Sequence, residues 1–181
     1  MSEPPASAPP LSDVAGELRL TLTSPAATAA LAVTLDDGLA AGDTLLLSGP
    51  LGAGKSHFAR ALIQHRLARI GQVEEVPSPT FTLVQIYQAG PVEIWHVDLY
   101  RLSSADEIAE LGLDEAMRTA IALIEWPDRL GPTQPERHLS LDFAMDPSAA
   151  DTRHLTVRMA GPGWDRVAAR LATNPGARRD G

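Results

Sequence analysis

Gly49-Pro50-Leu51-Gly52-Ala53-Gly54-Lys55-Ser56 fits the phosphate-binding pattern G-x-x-x-x-G-K-[ST] at every constrained position. Ahead of it stands Asp43-Thr44-Leu45-Leu46-Leu47-Ser48, a short apolar run of the kind that forms a buried parallel strand. Behind it, His57-Phe58-Ala59-Arg60-Ala61-Leu62-Ile63-Gln64 has helical composition. Strand, glycine-rich loop and helix are the setting such a loop needs. The glycines let several backbone N–H groups converge on one anion, and the helix start adds its positive dipole end. Lys55 is then placed to reach the β- and γ-phosphates, and the Ser56 hydroxyl to ligate magnesium. A glycine-rich αβ turn without a ligand is the bland alternative, and the number of constrained positions weighs against it. Lys55 is also the only lysine in the chain, although an arginine-favouring composition alone could produce that.

At 181 residues the chain is expected to form one domain, with a hydrophobic fraction of 44% and a charged fraction of 21% that suit a soluble globular core. It has no cysteine, which excludes disulfides and thiolate metal sites. No apolar run approaches the roughly 20 residues that span a bilayer. The first 13 residues hold four prolines and no basic residue, unlike a secretory leader, so a cytoplasmic location is the expectation. A net charge of −8 argues against a domain that grips nucleic acid directly, while leaving room for work on RNA through a partner.

Along the chain, residues 1–14 are rich in Pro, Ala and Ser and read as a disordered tail. A single domain is expected over 15–173 and a flexible tail over 174–181. Residues 17–23 alternate as a half-exposed strand, and Ser24-Pro25 marks a helix start running to 35 or 40. Gly71 is a candidate cap for the helix after the loop. Pro77-Ser78-Pro79 imposes an extended loop, a strand is expected from Thr80 onward, and Ala89-Gly90-Pro91 turns it into a second strand, 92–98. Ser104-Ala105-Asp106-Glu107 is a capping box, Gly112 a stop, and 113–118 a further short helix. Residues 120–125 read as a buried strand ending in an acid, 128–137 as a Pro/Gly loop, 139–143 and 154–159 as a hairpin, and 164–171 as a closing helix.

A phosphate loop needs an acid at the end of a neighbouring strand, because phosphates and metal must be neutralised together. Asp98 ends Ile94-Trp95-His96-Val97 and Glu125 ends Ile121-Ala122-Leu123-Ile124, so both are candidates. Glu125 could complete the magnesium shell or orient the attacking water. Ser78 and Thr80 lie where switch loops of nucleotidases sit and could sense the γ-phosphate or the metal, or be plain turn residues. His96 reads as a satisfied core histidine rather than a catalyst. Trp126 could be core, or lie beside the nucleotide or a partner. Arg101 could bind phosphate or pair with a carboxylate. The only asparagine is Asn174, which excludes the Asn-Lys-x-Asp motif that reads guanine, so ATP is the expected nucleotide.

Leu51-Gly52-Ala53-Gly54-Lys55-Ser56, Pro77-Ser78-Pro79-Thr80-Phe81-Thr82-Leu83-Val84, His96-Val97-Asp98-Leu99-Tyr100-Arg101-Leu102, Glu110-Leu111-Gly112-Leu113-Asp114-Glu115 and Leu123-Ile124-Glu125-Trp126-Pro127 together resemble the ordered signature of the TsaE family. The resemblance implies an α/β P-loop NTPase domain with a largely parallel central sheet and antiparallel additions. It implies magnesium-dependent ATP hydrolysis in the service of a TsaB–TsaD pair. That pair transfers threonylcarbamoyl to the adenosine beside the anticodon of tRNAs reading codons that begin with A. Carried onto this chain, residues 52–56 cradle the phosphates, with Leu51 and His57 flanking them. Ser56 and Glu125 sit at the magnesium, Asp98 takes the Walker B position, Thr80 lies in the switch-like loop, and Trp126 is beside the nucleotide. Lys55, Asp98 and Glu125 are the catalytic candidates. The chain departs from the family pattern at Pro50, where an acid is usual, and at Ser56-His57, which replace a Thr-Thr pair. A small-molecule or nucleoside kinase, or a nucleotide sensor without turnover, are the alternatives.

Overall fold

A computed structural model describes residues 17–174 and the backbone of Arg178–Arg179. The expected N-terminal tail, 1–14, lies outside the described residues, as does most of the expected C-terminal tail. The elements follow in the order β1 (Leu18–Leu22), α1 (Pro25–Asp36), β2 (Thr44–Ser48), α2 (Lys55–Ala68), β3 (Val84–Ala89) and β4 (Val92–Asp98). Then come α3 (Ala105–Ala109), α4 (Leu113–Thr119), β5 (Ile121–Glu125), β6 (His138–Met145), β7 (Arg153–Ala160), α5 (Asp165–Ala172) and β8 (Arg178–Arg179). They build one sheet in the order β3-β4-β5-β2-β6-β7-β1-β8. The four central strands, β4, β5, β2 and β6, pair in parallel. β3, β7, β1 and β8 each join an antiparallel neighbour. This is the expected P-loop NTPase architecture, a parallel centre with antiparallel additions.

The apolar run before the loop is buried because both faces of the sheet are covered. Leu45 and Leu47 of β2, with Ile121 and Leu123 of β5, pack into one core with α1, α2 and α5. Leu46, Ala122 and Ile124 point the other way, into a second core with Leu102, Ile108, Leu113 and Leu130. A period of two with apolar residues on both sides is what a central parallel strand requires. Asp36, at the end of α1, is fully buried and accepts from the Arg66 guanidinium and from His65 Nδ1, so α1 is tied to the back of α2. Removing one side of such a pair costs about 3–5 kcal/mol.

Local signals mostly act as read. Ser24 caps α1 by accepting from the Ala27 N–H at 3.1 Å. The Ser104–Glu107 capping box forms with both of its bonds. The helix after the loop ends at Ala68, with Gly71 left-handed (φ 74°) just beyond it. Two expectations are corrected. The strand expected from Thr80 begins at Val84, because Leu83 turns left-handed (φ 66°) and donates its N–H to Pro79 O at 2.7 Å. The β-favouring Thr80-Phe81-Thr82 is thereby folded into a turn that keeps the Thr80 hydroxyl close to Asp98. The expected loop at 128–137 holds a 3-10 helix, Pro127–Thr133, which turns at Gly131.

Candidate nucleotide-binding site

The loop between β2 and α2 owes its shape to its glycines at two points. Gly49 has φ 134°, and a Cβ there would meet the Phe143 carbonyl oxygen at 2.4 Å, so β6 packs directly against the start of the loop. Gly54, left-handed at φ 105°, delivers the chain into α2 with Lys55 as its first residue. The carboxyl ends of β2, β4 and β5 therefore surround the N-terminus of α2, which is where parallel sheets bind ligands. A cavity of about 510 Å³ opens there. Its walls include Leu51, Gly52, residues 54–57, Thr80, Asp98, Glu125 and Trp126, whereas Ala53 is fully buried within the loop and Ser78 and Arg101 are not part of the lining.

Register explains the pairing of the two acids. Asp98 and Glu125 are direct partners across the β4–β5 ladder, and both are buried. The Ser56 hydroxyl sits 2.8 and 2.9 Å from the two Glu125 oxygens and shares its single proton between them. His96 Nε2 lies 2.8 Å from Glu125 Oε1. Asp98 instead accepts from the Thr80 hydroxyl at 3.0 Å and from the Tyr100 N–H at 2.9 Å. Ser78 bridges the two halves, 2.9 Å from Thr80 and 3.5 Å from Ser56. His96 is thus more than a core histidine. One ring nitrogen faces Glu125, and the other, Nδ1, is buried without a partner among the described residues.

Lys55 is turned back on its own loop. Its ammonium donates to Gly49 O at 2.6 Å and Pro50 O at 2.9 Å, and lies 4.2 Å from the centre of the Trp126 ring. Burial pushes its pKa below the usual lysine value, while the charges of Glu125 and Asp98 pull it back up. A buried ammonium served mainly by carbonyls is a ready partner for phosphate oxygens. Trp126 holds its position with a left-handed backbone (φ 60°, ψ 51°), rare for a bulky residue, and tilts against Tyr100 at 4.8 Å.

His57 Nε2–H donates to Pro25 O at 2.9 Å, which brings the start of α1 beside the cavity rim. Among the described residues Arg101 pairs with no carboxylate; it lies 4.8 Å over the exposed Phe81 ring. Two contributors were missed by sequence reasoning. Tyr100 lines the cavity and was visible only as the residue two beyond Asp98. Arg153, from the far hairpin, bonds the loop carbonyls and carried no local signal.

The family described as threonylcarbamoyl adenosine biosynthesis protein TsaE matches residues 22–155 of this chain. A Rickettsia conorii protein named tRNA threonylcarbamoyladenosine biosynthesis protein TsaE is 44% identical over 108 residues, covering 60% of each chain. Matches to the first Rickettsia relatives therefore span about 60% of those proteins' length. The Streptomyces coelicolor protein of the same name is 36% identical over 132 residues, 70% of this chain and 86% of its own. The Bacillus subtilis one is 29% identical over 157 residues, 86% of this chain and 94% of its own. Among solved structures, Bacillus subtilis YdiB superposes with a TM-score of 0.67 at 25% identity, covering 89% of this chain and 97% of that one. The matched span holds the loop, both strand-end acids and the Thr80 turn, and the chain belongs to the TsaE family.

Proposed function

We propose that this protein is a magnesium-dependent ATPase that serves tRNA threonylcarbamoyladenosine formation together with a TsaB–TsaD-like complex. The observation that carries this is the meeting of Lys55 and Ser56 with Asp98 and Glu125 in one cavity at the end of the parallel strands. The donor set fits magnesium: a hydroxyl and two carboxylates, all hard oxygen ligands, with no cysteine in the chain. Few protein ligands suffice, since magnesium at such sites keeps waters and phosphate oxygens in its shell. When bound, the metal neutralises charge on the β- and γ-phosphates.

The chain's own residues do the rest. Backbone N–H groups of residues 52–56 cradle the phosphates, and Lys55 leaves the Gly49 and Pro50 carbonyls to pair with them. Ser56 and Glu125 hold the metal side. Asp98, through Thr80, sets the position of the 77–83 turn against the γ-phosphate. Glu125 also lies where it can orient the attacking water. The rim formed by His57 and residues 24–28 is the proposed place for the adenosine end.

The name shared by the family's relatives supports the tRNA assignment, and the net charge of −8 agrees with tRNA being held by partners. No described helix is long and apolar enough to cross a membrane, and we place the protein in the cytoplasm. The test is reconstitution of tRNA threonylcarbamoylation by a purified TsaB–TsaD pair with and without this protein. Multiple turnovers that require the protein and ATP are expected. A protein that neither binds ATP nor co-elutes with the pair would overturn the proposal.

A further inference from the structure

We propose that Arg153 is a positioning residue for the phosphate loop, and that the β6–β7 hairpin acts through it as a brace that sets nucleotide affinity. The inference rests on the nucleotide-binding role proposed for the loop. Arg153 lies a hundred residues beyond the loop in sequence, at the start of β7, and its guanidinium spans two loop carbonyls. Nε donates to Ala53 O at 3.0 Å and Nη2 to Gly52 O at 3.3 Å. Nη1 donates to Ala150 O at 2.6 Å and to Thr152 O at 2.8 Å, which fixes the side chain to its own hairpin. Four of the five N–H donors of the guanidinium are thus committed to backbone carbonyls. An arginine employed this way is a clamp on the loop's backbone rather than a free cation for phosphate.

Peptide geometry shows what the clamp does. In a trans peptide the C=O and N–H point in opposite directions. Pinning the Ala53 carbonyl towards β7 aims the Gly54 N–H the other way, and Gly54 lines the cavity. Pinning the Gly52 carbonyl fixes the preceding peptide, whose own Ala53 N–H closes the loop on Pro50 O at 3.1 Å. The other end of the loop is held by the same hairpin, since Gly49 packs on the Phe143 carbonyl of β6. β6 and β7 pair along their whole length, from His138↔Ala160 to Met145↔Arg153, so both holds belong to one rigid piece. A glycine-rich loop has many conformations to lose on binding an anion, and bracing it beforehand lowers that cost.

The experiment compares the wild type with Arg153→Met and Arg153→Lys, using calorimetric titration with ATP and magnesium, steady-state hydrolysis, and thermal unfolding without ligand. Arg158→Met is the control; this residue sits on the same strand but pairs with the Glu17 and Asp142 carboxylates rather than with loop carbonyls. Both Arg153 variants are expected to bind ATP about tenfold more weakly, because a lysine keeps the charge but cannot span two carbonyls as a fork. Their KM should rise accordingly, with kcat at saturating ATP within about twofold of wild type. Arg158→Met should bind as wild type does. Full affinity in Arg153→Lys, or in both variants, overturns the brace. So does a loss that merely follows a fall in the folded fraction; if Arg153→Met is destabilised, Arg153→Lys decides. A wild type that binds no ATP overturns the nucleotide role of the loop, and the brace with it.

Discussion

The ends of β4 and β5 carry the same kind of residue at the same level of the sheet, yet they are wired differently. Glu125 is joined to the phosphate-loop helix through Ser56 and to the strand beside it through His96. Asp98 is joined to the 77–83 turn through Thr80 and to its own following backbone through Tyr100. Under the proposed function, Glu125 is therefore anchored to the part of the site that would grip the nucleotide, and Asp98 to the part that would respond to it. Two acids adjacent in register need not share one role; what each accepts a hydrogen bond from assigns the division.

The sharpest test of that division is Glu125→Gln, expected to cut ATP hydrolysis by about a hundredfold or more while ATP binding stays within a few-fold of wild type. Rates measured at saturating ATP beside calorimetric affinity would check it. Unchanged hydrolysis would remove Glu125 from the mechanism. Asp98→Asn should cost less, about tenfold, because Ser56 and Glu125 remain to hold the metal side. Equal losses in the two variants would erase the distinction. Thr80→Ala should lower turnover by only about threefold, the loss of one hydrogen bond to a charged group that keeps its backbone donor. If it matches Asp98→Asn, the turn is the whole of what Asp98 does.

The smallest effect joins the two strand ends. Trp126 follows Glu125, Tyr100 follows Asp98 by two, and their rings touch above the Lys55 ammonium. ATP should draw Lys55 off the indole and change tryptophan emission modestly. Trp126→Phe should abolish that change while Trp95 and Trp164 keep emitting.

Much of this was legible in the sequence because the signals were local. The loop pattern, the Ser24 and Ser104 caps, the Gly90-Pro91 hairpin and the strand-end acids each announce themselves within a few residues. The Thr80 turn was not legible, since β-favouring side chains outvoted a left-handed Leu83 that only the tertiary pairing of Thr80 with Asp98 requires. The role of His96 was hidden for a similar reason: its flanks are those of any core histidine, and its carboxylate partner comes from another strand. Arg153 left no local trace at all. Its loop partners are carbonyls, which have no sequence identity, a hundred residues away.

Lys55 carries the only side-chain amine in the protein, and it lies 4% exposed between two carbonyls and an indole. Amine chemistry therefore has one internal address here, and that address is the site itself. No other side chain competes for an acylating reagent, so lysine labelling, read apart from that of the terminal α-amine, counts open sites directly. Nucleotide occupancy becomes measurable as protection of one mass shift on the peptide that carries Lys55, with no engineered probe.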